Sequence, residues 1–154
     1  MSDETQSRQL VFVDTNILVY AYDLSAGDKY NMAAQTMAEC WENENGCISI
    51  QVLQEFFVTV TRKIAKPLEH QLARQIVADL AHWRTHTPEA NDVLQAIDLS
   101  QSYGLSFWDT MEVQSAARLG CKCLLSEDLS HEKIYGHVQA INPFRGCSSH
   151  PSSG

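Results

Sequence analysis

No apolar run in this chain approaches the roughly 18 residues of a membrane span. The opening Met1-Ser2-Asp3-Glu4-Thr5 is acidic and polar, without the basic stretch and apolar core of a secretory leader. Cysteine is sparse and odd in number: Cys40, Cys47, Cys121, Cys123 and Cys147. An odd count in a chain of 154 residues, long enough to bury a core without staples, argues against a disulfide framework. Cys121-Lys122-Cys123 is not a C-x-x-C motif. The expectation is therefore reduced thiols in the cytoplasm, with Cys40, Cys47 and Cys123 in or near the core. His70, His82, His86, His131, His137 and His150 show no metal-ligand spacing and are expected at the surface. Positive charge is also scarce. With 11 Lys and Arg against 19 Asp and Glu, the formal net charge is −8, which excludes a generic nucleic-acid-coating protein. Internal repeats and linkers are absent.

What is present is an alternation of strand-like and helix-like segments. Leu10–Val13, Cys47–Ile50, Cys123–Leu125 and Val138–Ile141 read as short strands, with Thr85–Thr87 a candidate edge strand. Asn16–Asp23, Asn31–Asn43, Gln51–Ile64, Leu68–Trp83, Glu89–Tyr103 and Trp108–Leu119 carry helical periodicity. Leu72, Ile76, Val77 and Leu80 are expected to face inward from the fourth of these helices. Such alternation predicts an α/β fold, three layers α/β/α around a central parallel sheet of about five strands. One domain is expected over residues 10–145, with a flexible N-terminus over 1–9 and a disordered tail over 146–154.

Four acids stand out because each sits in an apolar context. Asp14 follows Leu10-Val11-Phe12-Val13. Glu55 lies about one turn into a helix, beside its apolar stripe. Asp109 opens a helix after Phe107-Trp108, and Asp128 closes Leu124-Leu125-Ser126-Glu127-Asp128. In a parallel sheet, ligands bind beyond the carboxyl ends of the strands where strand order reverses, and all four acids fall on that edge. Converging carboxylates repel one another unless a cation joins them. Hard oxygen donors favour Mg²⁺ or Mn²⁺ over zinc, and such ions retain waters that serve phosphodiester hydrolysis.

At these residues the chain resembles the PIN-domain nucleases, in particular the VapC-like toxins of bacterial toxin–antitoxin pairs. The matching segments are Val13-Asp14-Thr15-Asn16-Ile17-Leu18, Gln54-Glu55-Phe56, Ser106-Phe107-Trp108-Asp109 and Leu125-Ser126-Glu127-Asp128-Leu129, with Ile141-Asn142-Pro143-Phe144 similar to the family's ending. The resemblance runs from about residue 10 to 145. It implies a divalent-metal-dependent endoribonuclease with Mg²⁺, replaceable by Mn²⁺, held by Asp14, Glu55, Asp109 and Asp128. It further implies that Thr15 and Asn16 shape the site around Asp14, that the substrate is RNA, that the chain forms a homodimer and that a cognate antitoxin fills the active-site groove. The chain departs from the family pattern at Thr110, where Ala is common, and at Glu112, where an apolar residue is usual.

Each acid also has a plainer role. Asp14 suits a helix N-cap, Asp109 a helix start favoured by the dipole, Glu55 an exposed helix face and Asp128 a turn, with Glu127 as a second candidate ligand. Glu112 is expected to be solvated or at an interface, unless it joins the site. Arg62, Lys63 and Lys66 form the one basic cluster, read as a solvated helix end or as an RNA phosphate contact. Trp108 is expected in the core, unless it serves as a base-stacking platform. A phosphatase or phospho-receiver fits poorly, because Asp14-Thr15-Asn16 lacks an acid two residues on and no acidic pair precedes a candidate phosphorylated Asp. An RNA-processing PIN nuclease that lacks an antitoxin would carry the same four acids. A catalytically silent PIN-fold binding protein would be marked by loss of one or more of them, and all four are present.

Overall fold

The computed structural model describes residues 9–145. The expected flexible ends fall almost wholly outside the described residues, as does Cys147. In chain order the elements are β1 (Val11–Val13), α1 (Thr15–Tyr20), a 3₁₀ turn (Leu24–Ala26), α2 (Asp28–Asn43), β2 (Gly46–Ser49), α3 (Ile50–Arg62), α4 (His70–Leu80), β3 (Arg84–His86), α5 (Ala90–Tyr103), α6 (Phe107–Arg118), β4 (Cys123–Leu125), β5 (Ile134–Tyr135) and β6 (Val138–Ile141).

The strands lie in the order β3-β2-β1-β4-β6-β5. Five run parallel, as expected. The sixth, β5, is a two-residue strand antiparallel to β6, where Tyr135 pairs with Val138. The chain moves from β1 outward through β2 to β3, then returns to the other side of β1 for β4 and β6. Strand order therefore reverses between β1 and β4, where Val13 pairs with Leu125. The residues that follow those partners, Asp14 and Ser126, stand side by side at the switch point.

Helices cover both faces because the strands are apolar on both sides. Phe12, Ile48, Leu124 and Val138 are fully buried beneath Ile17, Leu18, Val52, Phe56, Val60 and Leu80 from the helices. Burying one such side chain contributes about 1.5–3 kcal/mol. Local signals set several boundaries. Ser49 caps α3 by accepting from the Val52 N–H. Gly104, at φ 67°, ends α5 in the left-handed conformation. β2 begins at Gly46, one residue before the expected start, where Gly46 pairs with Val11 of β1; a Cβ there would lie 2.6 Å from the Trp83 ring, so the position requires glycine.

Two core expectations change. Leu72 is 50% exposed and Ala73 takes the inward position on α4. Ile76 and Leu80 are buried as expected, and Ala73 completes their face at i, i+3 and i+7, which leaves Leu72 at its edge. Cys121 is buried along with Cys40 and Cys47, while Cys123 is half-buried, and all four are free thiols. Among the described residues no helix is long and apolar enough to cross a membrane.

Candidate active site

Asp14 sits where β1 passes into α1. Its extended backbone makes it the N-cap of α1, and its Oδ1 accepts from the Thr15 N–H at 2.5 Å. The capping role is thus present. Its other oxygen, Oδ2, accepts from the Ser126 hydroxyl at 2.6 Å and from the Asn16 amide at 3.3 Å. The same Asn16 amide donates to Asp128 Oδ2 at 2.9 Å, so one side chain bridges two acids from opposite sides of the switch point. Ser126 also accepts from the Asp128 N–H at 3.1 Å. Glu55 reaches in from α3. Its Oε1 accepts from the Thr15 hydroxyl at 2.9 Å and its Oε2 from the Gln51 amide at 3.3 Å. Asp109 lies in the first turn of α6, which Ser106 caps by accepting the Asp109 N–H at 3.1 Å.

These four acids line one cleft of about 370 Å³, together with Glu112. Glu112 is 7% exposed, so the structure corrects its expected place at a solvated surface or interface. The reason is that α6 is buried on every side from Thr110 to Ala116, which leaves no outward face for it. Burial, the charge of Asp14 and a hydrogen bond to Asp14, then the charges of Glu55 and Asp109, push its carboxyl well above the usual carboxylate range. Burial also raises Asp109, where the Asp14 charge adds to the rise and a hydrogen bond with Ser106 opposes it. Asp128 is raised by burial and then by Asp14 and Asp109, against the Asn16 hydrogen bond. No Lys, Arg or His lines the cleft, so nothing cationic from the described residues offsets this charge within it.

That donor set, carboxylate oxygens in excess of any protein cation, fits a hard divalent ion. Among the described residues, no three His, Cys, Asp or Glu side chains are yet grouped closely enough to cage one. The acids line a common cleft with their oxygens engaged by Thr15, Asn16, Gln51 and Ser126 instead.

Other candidate residues fall elsewhere. Glu127 is turned from the cleft and accepts from the Tyr20 hydroxyl at 2.7 Å and from Lys29. Burial disfavours its charge, but Lys29 and Tyr20 hold it below the usual range. Arg62, Lys63 and Lys66 lie at and beyond the end of α3 and do not line the cleft. Trp108, expected in the core, is 59% exposed and lines the cleft; it stands in the first turn of α6, before the buried run that begins at Thr110. Ser126 and Gln51 received no role from sequence reasoning. Ser126 stands two residues before Asp128 in Leu125-Ser126-Glu127-Asp128-Leu129, which was its only signal. His86, expected at the surface, is buried on β3, with Nδ1 2.8 Å from Ser115 Oγ and Nε2 3.3 Å from Asp92 Oδ2.

A profile of the PIN domain matches residues 11–136. The chain belongs to the PIN domain family. The PIN fold is shared with several solved structures. The sarcin–ricin loop cleaving toxin VapC20 of Mycobacterium tuberculosis is 18% identical, with a TM-score of 0.59 over 77% of this chain and 89% of that one. A toxin–antitoxin complex from Klebsiella pneumoniae is 20% identical, with a TM-score of 0.62 over 86% and 97%. VapBC2 from Rickettsia felis, bound to a DNA fragment from its promoter, is 18% identical, with a TM-score of 0.59 over 87% and 98%. At these identities the likeness to this PIN domain is one of fold. No curated protein sequence matches the chain.

Proposed function

We propose that this PIN domain is a divalent-metal-dependent endoribonuclease and the toxin of a toxin–antitoxin pair. The observation that carries the reading is the convergence of Asp14, Glu55, Asp109 and Asp128, with the buried Glu112, on one cleft that contains no protein cation. Asp14, Glu55, Asp109 and Asp128 would hold Mg²⁺, or Mn²⁺ in its place. Such an ion supplies the positive charge that a phosphodiester needs and lowers the pKa of water toward neutrality. Ser126 and Asn16 orient Asp14 through its Oδ2, Asn16 sets Asp128 relative to it, and Thr15 positions Glu55.

The fold neighbours support the toxin assignment, since one is a sarcin–ricin loop cleaving toxin and another a toxin–antitoxin complex. A cognate antitoxin carrying Arg or Lys into the acidic cleft fits its charge. A homodimer and a cytoplasmic location belong to the same reading.

The test is to incubate purified, antitoxin-free protein with total RNA and Mg²⁺ or Mn²⁺, beside Asp14→Asn and an EDTA control. Discrete cleavage by the wild type, lost in both controls, is the expected result. A folded, metal-supplied wild type that cuts no RNA would move the assignment to a silent PIN-fold binding protein.

A further inference from the structure

A nucleic-acid strand is a polyanion, yet among the described residues the cleft that would receive its phosphate is lined by five acidic side chains and by no Lys, Arg or His. Beyond charge neutralisation at the phosphate itself, the uncharged groups on the cleft wall are the ones at hand to position the nucleotide. Two aromatic side chains line the cleft, Tyr20 and Trp108. Tyr20 is already engaged. Its hydroxyl donates to Glu127, its ring meets Phe144 edge-on at 5.4 Å, and the Lys29 ammonium lies 5.1 Å from its centroid. Trp108 is different. It is the largest side chain on the cleft wall, it is 59% exposed, and it directly precedes Asp109. Phe107 packs against it edge-on, with centroids 5.1 Å apart and planes at 75°, which supports the indole while leaving more than half of the residue open. Every nucleobase presents a π face, so stacking on an aromatic side chain binds a strand without reading its sequence and without needing a cation. Bases inside a duplex have both faces covered by their neighbours; only an unpaired or splayed base can take such a platform.

We propose that Trp108 is the stacking platform for an unpaired base beside the phosphate received by the acidic cleft. This rests on the ribonuclease reading. It makes Trp108 a substrate-binding residue, distinct from the acids and from the basic cluster on α3.

The experiment compares the wild-type protein, as parent, with Trp108→Ala and Trp108→Phe, using 2′-O-methyl strands, which lack the 2′-hydroxyl and resist cleavage. The probe is a fluorescein-labelled short oligoadenylate in Mg²⁺, beside an abasic ribose–phosphate oligomer of equal length and a duplex of the same strand. Far-UV circular dichroism and a thermal melt check the fold of each variant. The expected result is about a ten-fold weaker Kd for oligoadenylate with Ala, as alanine substitution at base-stacking aromatics gives, and a partial recovery with Phe. The abasic oligomer and the duplex should bind equally poorly to all three. Equal oligoadenylate affinities, an equal loss on the abasic oligomer, or no measurable binding by the parent would each overturn the proposal, and equal affinities would reassign the exposed indole to a protein partner. Cleavage of total RNA by the wild type is scored separately. Cleavage with an unchanged Kd in Trp108→Ala sinks the platform alone, whereas a base-dependent Kd without cleavage sinks the nuclease alone.

Discussion

The hydroxyl of Ser126 donates to Asp14 Oδ2 at 2.6 Å, joining the ends of two strands that are neighbours in space and 112 residues apart in sequence. A side chain that orients a metal-binding carboxylate typically matters by about 10- to 100-fold in metal affinity or activity. Ser126→Ala is expected to lower Mn²⁺-dependent cleavage by about that factor while leaving the fold intact. Titrating Mn²⁺ against cleavage rate checks it. An unchanged Mn²⁺ dependence would show that the backbone alone orients Asp14.

Glu112 supplies a pH-dependent prediction for the metal-free protein. Its folded carboxyl titrates above its unfolded value, so the folded state keeps a proton that the unfolded chain has already released. Stability in EDTA should therefore fall as pH rises from the unfolded value, about 4.3, toward the raised one. Glu112→Gln, which cannot ionise, should flatten that decline. At neutral pH the EDTA-treated variant should melt above wild type. Thermal melts across pH measure both effects, and a variant that melts below wild type would contradict them.

Asp92 is wholly buried between β3, α5 and α6. It accepts from the Gln114 amide at 3.0 Å, the Arg118 guanidinium at 2.7 Å and the Glu89 N–H at 2.8 Å. Burial opposes its charge, but these partners and His86 prevail and hold its carboxyl below the usual range. Its stabilising contribution is present above the unfolded pKa and is lost as pH falls through the depressed one. Asp92→Ala strands a buried His and Gln and should cost about 3 kcal/mol, visible as a Tm lower by about 6–12 °C. A melt within about 2 °C of wild type, about 0.5–1 kcal/mol, would show that α5 and α6 hold without this network.

Arg62 and Lys63 lie outside the cleft about one turn beyond Thr59, which lines it, and Lys66 follows past the end of α3. If a strand leaving the cleft crosses this end of α3, replacing all three by Ala should reduce the slope of log affinity against log salt by about 2. Parallel salt titrations of RNA binding test this. An identical slope would leave the three cations as a solvated helix end.

The order of elements and the positions of the four acids were legible because both depend on short-range rules. Apolar runs of strand length followed by an acid mark strand ends, and parallel α/β topology places those ends on one edge. Glu112 and His86 were expected to be wet because amphipathic reasoning assumes that every helix or edge strand has a wet side. Between Thr110 and Ala116, α6 has none, and β3 turns His86 inward against Asp92 and Ser115. Trp108 errs the other way: a large apolar residue was assigned to the core, yet it stands exposed on the cleft wall. Leu72 lies at the edge of the α4 face that Ala73, Ile76 and Leu80 bury.

Periodicity and strand-end chemistry are local properties, and they suffice for the α/β architecture, the parallel sheet and the four acids at its carboxyl edge. They do not say which hydroxyls and amides engage those acids, that Glu112 is buried among them, or that Glu127 is drawn aside by Lys29 and Tyr20. Those outcomes depend on side chains from distant segments meeting at the β1/β4 switch point, where distance and burial, rather than spacing along the chain, set each hydrogen bond and each charge.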